Sequence, residues 1–437
     1  MATQTGTIIN LVNTALGAGM LALPFAFRAQ GIALSIFSLL FGAFTTGVGL
    51  LLLSYTSGFL ASGTASFFQI AKITYPSLAV VFDVAIAFKC FGVCISYLVI
   101  VGDLMPMVAA YFGFETGSLF WLVVAMLIVV PISFYRNLDS LKTASLIALS
   151  SVVYLVIIVV GHFLRGDTVD QKGPVAYFEP KGFSNVVSTI PIIVFAFTCA
   201  QNMYAAVNEL ESRTPKSLIQ ITLATTGISA GVYILVGLTG YLSFGDNVSD
   251  NVISMYAQSV WSTLGRFAIV VLVLFSYPIM CHPARASISN VLNAVRSHKS
   301  PAETTEPETN APLLPTHSLT NGDPANPESA ANAQPSDDRE YIIVTTLLLV
   351  LSFVLAQTLN SLELILSFVG ATGATGVSFI LPGIFGYALA DSDRANSLVE
   401  LTPRQKKAVK IASVLLSSWG TLVAVLAIGV NIYRLIS

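Results

Sequence analysis

The chain is predicted to be an all-α integral membrane protein whose eleven spans fall into two matching halves, and three observations carry that expectation. Hydrophobic residues make up 54% of the 437 and charged residues 10%, with a mean hydropathy of +0.78, which leaves too little polar surface for a water-soluble fold of this length. Apolar stretches long enough to cross a bilayer recur from end to end. Two of them, at 7–27 and 186–207, are interrupted near mid-depth by small and polar residues.

The first span, 7–27, is broken by Gly17-Ala18-Gly19 and again by Pro24. Bilayer hydrocarbon offers no water to free backbone groups, so an opened helix is tolerated there only where those groups face protein, a cavity or a solute. Asn10 and Asn13 precede the break at i, i+3 spacing, which puts both carboxamides on one face; they are expected to line a site. No Lys or Arg precedes Arg28 and the stretch exceeds a signal-peptide core, so it reads as a retained span. Span two covers 32–60. Span three, 79–112, carries Asp83 and Asp103 near its two ends, where interfacial solvation is expected, and Lys89, which is expected to snorkel toward the cytosol.

Spans four and five cover 119–134 and 141–164, with His162 near an end in an expected structural role. Span six, 186–207, repeats the pattern of the first: Pro191 comes early and a polar cluster, Thr198 to Asn202, sits at the centre. Two matching breaks imply an inverted repeat, residues 7–164 against 186–389, with a solute held between the discontinuous helices at the midplane. Span seven is 218–244, followed by the sequon Asn247-Val248-Ser249. Span eight, 264–291, ends SYPIMCHPAR and places Ser276 and His282 toward the cytosolic end. Residues 300–338, rich in Pro, Asn, Thr and acids without Lys or Arg, are expected to be a disordered cytosolic loop; within it Glu308 and Pro312-Leu313-Leu314 resemble an acidic dileucine signal with the acid one residue too far upstream. Spans nine and ten are 341–359 and 362–389. The glycines Gly370, Gly373 and Gly376 of span ten are read as packing residues. Span eleven, 408–436, is an addition to the repeat, and residues 1–437 form a single domain.

Most Lys and Arg residues fall on one face of this topology, which puts Met1 in the cytosol and Ser437 on the opposite side. Cys90, Cys94, Cys199 and Cys281 all lie in spans and are expected to be free thiols. No HExxH, no GxGD pair and no nucleophile beside a base is present, so an intramembrane enzyme is disfavoured, as are nucleotide and nucleic-acid binding.

The segments NLVNTALGAGMLALPFA, FAFTCAQNMYAAVNEL, SYPIMCHPAR and GATGATGVSFILPG resemble the amino acid/auxin permease family, in particular sodium-coupled neutral amino acid transporters and fungal vacuolar amino acid transporters. The resemblance implies a LeuT-like fold and secondary amino acid transport at the vacuolar membrane. By it, Asn13 and Ser276 match positions that hold sodium in the sodium-coupled relatives, whereas the His that usually precedes the Gln-Asn pair in vacuolar relatives is Ala200 here, so a proton role for that His does not carry over. An amino acid presents a carboxylate and an ammonium. Free N–H groups at Gly17, Ala18, Gly19 and Met20, at the positive end of the following half-helix, suit the carboxylate. Carbonyls near Asn13, Phe197 and Thr198 suit the ammonium. The expected substrate residues are therefore Asn13, Thr14, Gly17, Ala18, Gly19, Met20, Phe197, Thr198, Cys199 and Asn202, with Tyr204 shaping selectivity and Asn13 and Ser276 coupling the ion. No cofactor or bound metal is expected, only a coupling ion, H+ or Na+. An amino acid sensor and a plasma-membrane sodium symporter are the alternatives, and Asp83, Asp103, Glu209 and Glu363 are the embedded acids available to a proton.

Overall fold

The computed structural model describes residues 3–134, 142–299, 338–359, 361–392, 396, 398 and 400–436. Every expected span has a helical counterpart, and the described residues include no strand. Span two is Ile32–Ser57, three Ala79–Tyr111, four Ser118–Ser133, five Lys142–Arg165, seven Pro215–Phe244, eight Val260–Lys299, nine Asp338–Thr358, ten Leu362–Leu389 and eleven Pro403–Ile436. Among the described residues eight helices are long and apolar enough to cross a bilayer, and the bent first span, taken as one, makes a ninth. Ser118–Ser133 and Leu149–Arg165 are apolar but shorter. The loop expected at 300–338, its dileucine included, lies outside the described residues except for Asp338, which opens span nine.

The first span is two helices, Gln4–Ala15 and Leu23–Gln30, joined by a tight 3-10 turn at Ala18–Ala22, and its halves meet at 48°. Pro24 is not a second break. It sits in the first turn of the second half-helix, where its missing N–H would have had no helical acceptor in any case and its fixed φ favours the start. The sixth span is also interrupted: Phe183–Ala196 stops, Ala200–Asn202 forms a 3-10 turn and Met203–Glu209 resumes. Phe183–Glu209 nevertheless runs on as one span with no bend of that size. Pro191 lies inside the first half rather than at the interruption.

Span ten contains two wide π-type turns, Gly370–Ala374 and Gly376–Ile380, a helix irregularity that concentrates at functional sites. Close approach requires glycine at 370 and 373, whereas a Cβ at Gly376 meets only Ala85, at 3.8 Å. A Cβ at Gly370 would lie 2.0 Å from the Pro191 carbonyl oxygen, and one at Gly373 2.3 Å from the Lys89 Cβ and 2.7 Å from the Lys89 Cα. Span ten is thereby pressed against the sixth and third spans at mid-depth.

Several charged positions differ from expectation. Asp83 is buried, not interfacial, and hydrogen-bonds Ser287 and Asn290 on the long eighth helix. Arg285 is buried within that helix, where its guanidinium donates to the Ser133 carbonyl and the Thr345 hydroxyl, both at 3.1 Å, and stacks over Tyr341. Asp103 and Glu209 are exposed, and Glu363 pairs with Arg434 at 2.8 Å. His162 lies 2.7 Å from Asp167 and stacks on Tyr256, a structural arrangement as expected. All four cysteines are free and buried.

Candidate functional site

The two interruptions meet. A Cβ on Gly19 would stand 3.0 Å from both the Ala196 Cα and the Phe195 ring, so only a glycine lets the first break sit on the sixth. Beside this contact lies a small mid-depth cavity of about 30 Å³, walled by Thr14, Ala15, Gly17, Ala18 and Gly19 from the first span and by Phe195, Ala196, Thr198 and Gln201 from the sixth. Lys89, Val93 and Tyr97 of the third span and Met280 of the eighth close it. Such a volume has room for roughly two waters, so a solute the size of an amino acid enters only if the walls part. Larger grooves lie between the third, fourth and eighth spans, but their walls are almost wholly apolar and present nothing to orient a zwitterion.

Backbone bonding at the first break narrows the expected anion cradle. The Gly17 N–H is taken by the Ala15 carbonyl at 2.8 Å and the Met20 N–H by the Gly17 carbonyl at 3.1 Å. Ala18 and Gly19 open the 3-10 turn, and among the described residues their N–H groups have no backbone acceptor. They, not Gly17 and Met20, are the donors available to a carboxylate. Gly17 itself is extended, with φ −123° and ψ −155°, and a Cβ added there meets no atom but the Ala15 oxygen, at 4.0 Å.

The expected side chains divide. Thr14 and Thr198 line the cavity, as do Gly17, Ala18 and Gly19. Phe197 does not: it is buried edge-on against Tyr233, with ring centroids 4.9 Å apart, and packs over Gly42. Tyr204 likewise faces the second span, where its hydroxyl meets the Thr56 hydroxyl at 2.9 Å. Met20 and Cys199 are buried outside the wall. The Asn202 amide donates to the Thr14 hydroxyl at 2.9 Å, so it braces one break against the other. Asn10 is exposed and contributes its carbonyl to Thr14, so the helix turn that carries Asn13 inward leaves Asn10 on a different face. Asn13 is half-buried with an Oδ1 that has no partner, and Ser276 hydrogen-bonds the cavity residue Tyr97.

Three participants escaped the sequence reading. Tyr233 of the seventh span, fully buried, points its hydroxyl at two carbonyls, Ala15 and Ala196, each 2.6 Å away. These are the last oxygens of the two broken half-helices, so a single phenol clasps both. Gln201, inside the expected polar cluster but not singled out from it, lines the cavity with a buried Oε1 that has no partner among the described residues. Lys89 does not snorkel. It is 2% exposed, reaches the cavity wall, and among the described residues has no carboxylate at ion-pair distance. A lysine at the centre of a span costs about 2.5–3.5 kcal/mol or more to place in a bilayer, and an ionisable group buried within one is a candidate working position. Only the Lys at 89 hinted at this, and its four-carbon stem made snorkelling the simpler expectation.

A profile of the family described as transmembrane amino acid transporter protein matches residues 2–426. The chain belongs to this family. Among its relatives are vacuolar amino acid transporter 5 of Schizosaccharomyces pombe, 40% identical over 98% of this chain and 94% of that one, and vacuolar amino acid transporter 6 of Saccharomyces cerevisiae, 36% identical over 96% of each. Of solved structures, MhsT in complex with L-phenylalanine superposes with a TM-score of 0.56 at 12% identity, covering 99% of both chains. This family member therefore has the LeuT-like fold that the resemblance implied.

Proposed function

We propose that the protein is a secondary active transporter that moves amino acids across the vacuolar membrane by alternating access, with transport rather than catalysis as its activity. The observation that carries this reading is the meeting of two interrupted spans around a polar mid-depth cavity in which Ala18 and Gly19 hold N–H groups without acceptors. Those donors, at the positive end of the half-helix Leu23–Gln30, suit a carboxylate. The unpartnered Gln201 Oε1, and the Thr198 carbonyl, which accepts only a long 3.5 Å bond from the Gln201 Nε2, suit an ammonium. Both groups belong to every α-amino acid, so the backbone reads the class and the remaining walls select among its members. The names of the vacuolar relatives support the vacuolar membrane, and the basic bias supports a cytosolic N-terminus and luminal C-terminus.

We assign the drive to a proton gradient. A second reading, sodium symport, is favoured by one observation, the buried and unpartnered Asn13 Oδ1, an oxygen suited to a hard cation. Uptake of radiolabelled neutral, acidic and basic amino acids into proteoliposomes under an imposed pH or sodium gradient tests both. Accumulation under the pH gradient alone supports the assignment, accumulation only with sodium supports the second reading, and absence of uptake and of counterflow for every amino acid overturns transport itself.

A further inference from the structure

Lys89 is the charged side chain for which the expected transport chemistry has no use. It lies ten residues into the third span, Ala79–Tyr111, 2% exposed, and forms part of the cavity wall with the unwound Gly17-Ala18-Gly19 segment. Span ten is shaped around it: the wide turn brings Gly373 so close that a Cβ there would overlap the Lys89 Cβ and backbone. The groups that face it are few. From the sixth span comes Cys199, from its own helix Cys90 and, one cavity wall away, Tyr97. The first span from Gln4 to Ala22 and the turns of span ten from Gly370 to Ile380 contain no titratable residue, and Met280 is the contribution of the eighth. None of these is a carboxylate. Among the described residues, then, no protein anion balances an ammonium at this place, while the adjacent backbone donors are arranged for an anion that arrives with the substrate.

We propose that Lys89 is the proton carrier of the transport cycle: its amine is neutral without substrate and takes up one proton from the loading side when a substrate carboxylate binds beside it. The inference rests on the transporter reading above. The step balances simply, since R–NH2 gains H+ to become R–NH3+ and returns it on the other side when the carboxylate leaves. An unpaired ammonium in a low-dielectric cavity is unfavourable, and so is an unpaired carboxylate. Each therefore recruits the other. Linkage makes the effect reciprocal: by whatever factor the carboxylate raises proton affinity, the proton raises substrate affinity. Substrate without a proton, or a proton without substrate, is the disfavoured load, which is the condition for symport.

The test is substrate binding to the purified full-length protein at a series of pH values, using the amino acid that gives the strongest counterflow, with proton uptake followed by an indicator dye in weak buffer. Wild type is expected to bind tenfold tighter for each unit of acidification across the window in which Lys89 titrates, and to take up about one proton per substrate bound. Lys89→Gln and Lys89→Arg should both lose the slope, the first because no proton can be held and the second because its charge is permanent. Lys72→Gln, at an exposed position outside the cavity, should keep it. Counterflow by wild type without proton uptake, or an undiminished slope in either Lys89 variant, overturns the assignment while leaving transport standing. If one Lys89 variant fails to fold, the other carries the comparison, and wild type that binds substrate without taking up a proton overturns the assignment by itself. Failure of wild type to bind any amino acid removes the transporter reading and this assignment together.

Discussion

The Tyr233 clasp makes a quantitative prediction. Replacing Tyr233 by Phe removes one oxygen and keeps the ring that packs edge-on against Phe197. The two carbonyls fare differently. Ala15 retains the Gly17 N–H at 2.8 Å, whereas among the described residues Ala196 has only the Tyr233 hydroxyl, at 2.6 Å. The variant therefore strands one buried acceptor outright and weakens the satisfaction of a second. A buried polar group left without its partner costs about 1–3 kcal/mol, and 1.4 kcal/mol is about tenfold in an equilibrium. If the whole loss falls on the arrangement that binds substrate, affinity drops by between about five-fold and about 150-fold; if it falls on the fold, thermal stability drops instead. Both should be measured on one preparation, melting in detergent beside substrate affinity by calorimetry. A Tyr233→Phe protein with unchanged melting and an affinity within two-fold of wild type would refute the clasp.

Other substitutions probe separate features. Gly17→Leu should abolish counterflow in a protein that still elutes as a folded monodisperse species, because the added side chain projects from a position with no neighbour closer than 4.0 Å and fills the cavity; Gly17→Ala should be tolerated. Gly373→Ala should sharply reduce the yield of folded protein on size exclusion, since its Cβ would meet Lys89 backbone atoms at 2.7 and 2.8 Å, which no rotamer can relieve. Arg266→Met should lower the melting temperature and expose the 253–256 segment to protease, because the fully buried guanidinium donates to the carbonyls of Ile253, Ser254 and Tyr256. One such charged bond contributes about 1.5–3 kcal/mol.

What was legible in the sequence follows physical lines. Membrane spans are read from apolar length, a property of a contiguous stretch, and the spans duly appear. The two interruptions were legible because a run of small residues and carboxamides weakens a helix in hydrocarbon and demands polar partners there. Which groups near a break face the cavity was not legible, because it depends on rotation set by packing: one turn of helix separates exposed Asn10 from half-buried Asn13, and Phe197 turns toward Tyr233 although its neighbours Ala196 and Thr198 reach the cavity. Tyr233 could not be found at all. It lies 37 residues from Ala196 and 218 from Ala15, and a tyrosine within an apolar helix carries no local sign of what it clasps. Lys89 was visible as a letter, but not the close packing of span ten upon it at Gly373, nearly three hundred residues away.

The hydrogen bonds between spans show why the cavity is where it is. One group of spans is tied around the breaks: Tyr233 joins the seventh to the first and sixth, Asn202 joins the sixth to the first through Thr14, Gln30 joins the first to Thr189 of the sixth, and Tyr204 joins the sixth to the second through Thr56. A second group is tied around the eighth: Tyr277 to Ser352 of the ninth, Arg285 to the fourth and ninth, Tyr154 of the fifth to the Trp261 carbonyl, and Cys94 of the third to the Tyr277 carbonyl. The cavity lies on the seam, with Thr14 to Gly19 and Phe195 to Gln201 on one side and Lys89, Val93, Tyr97 and Met280 on the other. In the binding mode proposed above, a solute held there is gripped by both groups at once, its carboxylate by the Ala18 and Gly19 N–H groups of the first and by the Lys89 ammonium of the second. Rocking of one group against the other then changes which side of the membrane the seam opens to without breaking the bonds inside either group. With Lys89 as the proposed proton carrier, its charging is an interaction across the seam, so a change of charge at that single atom acts on the one surface that has to slip.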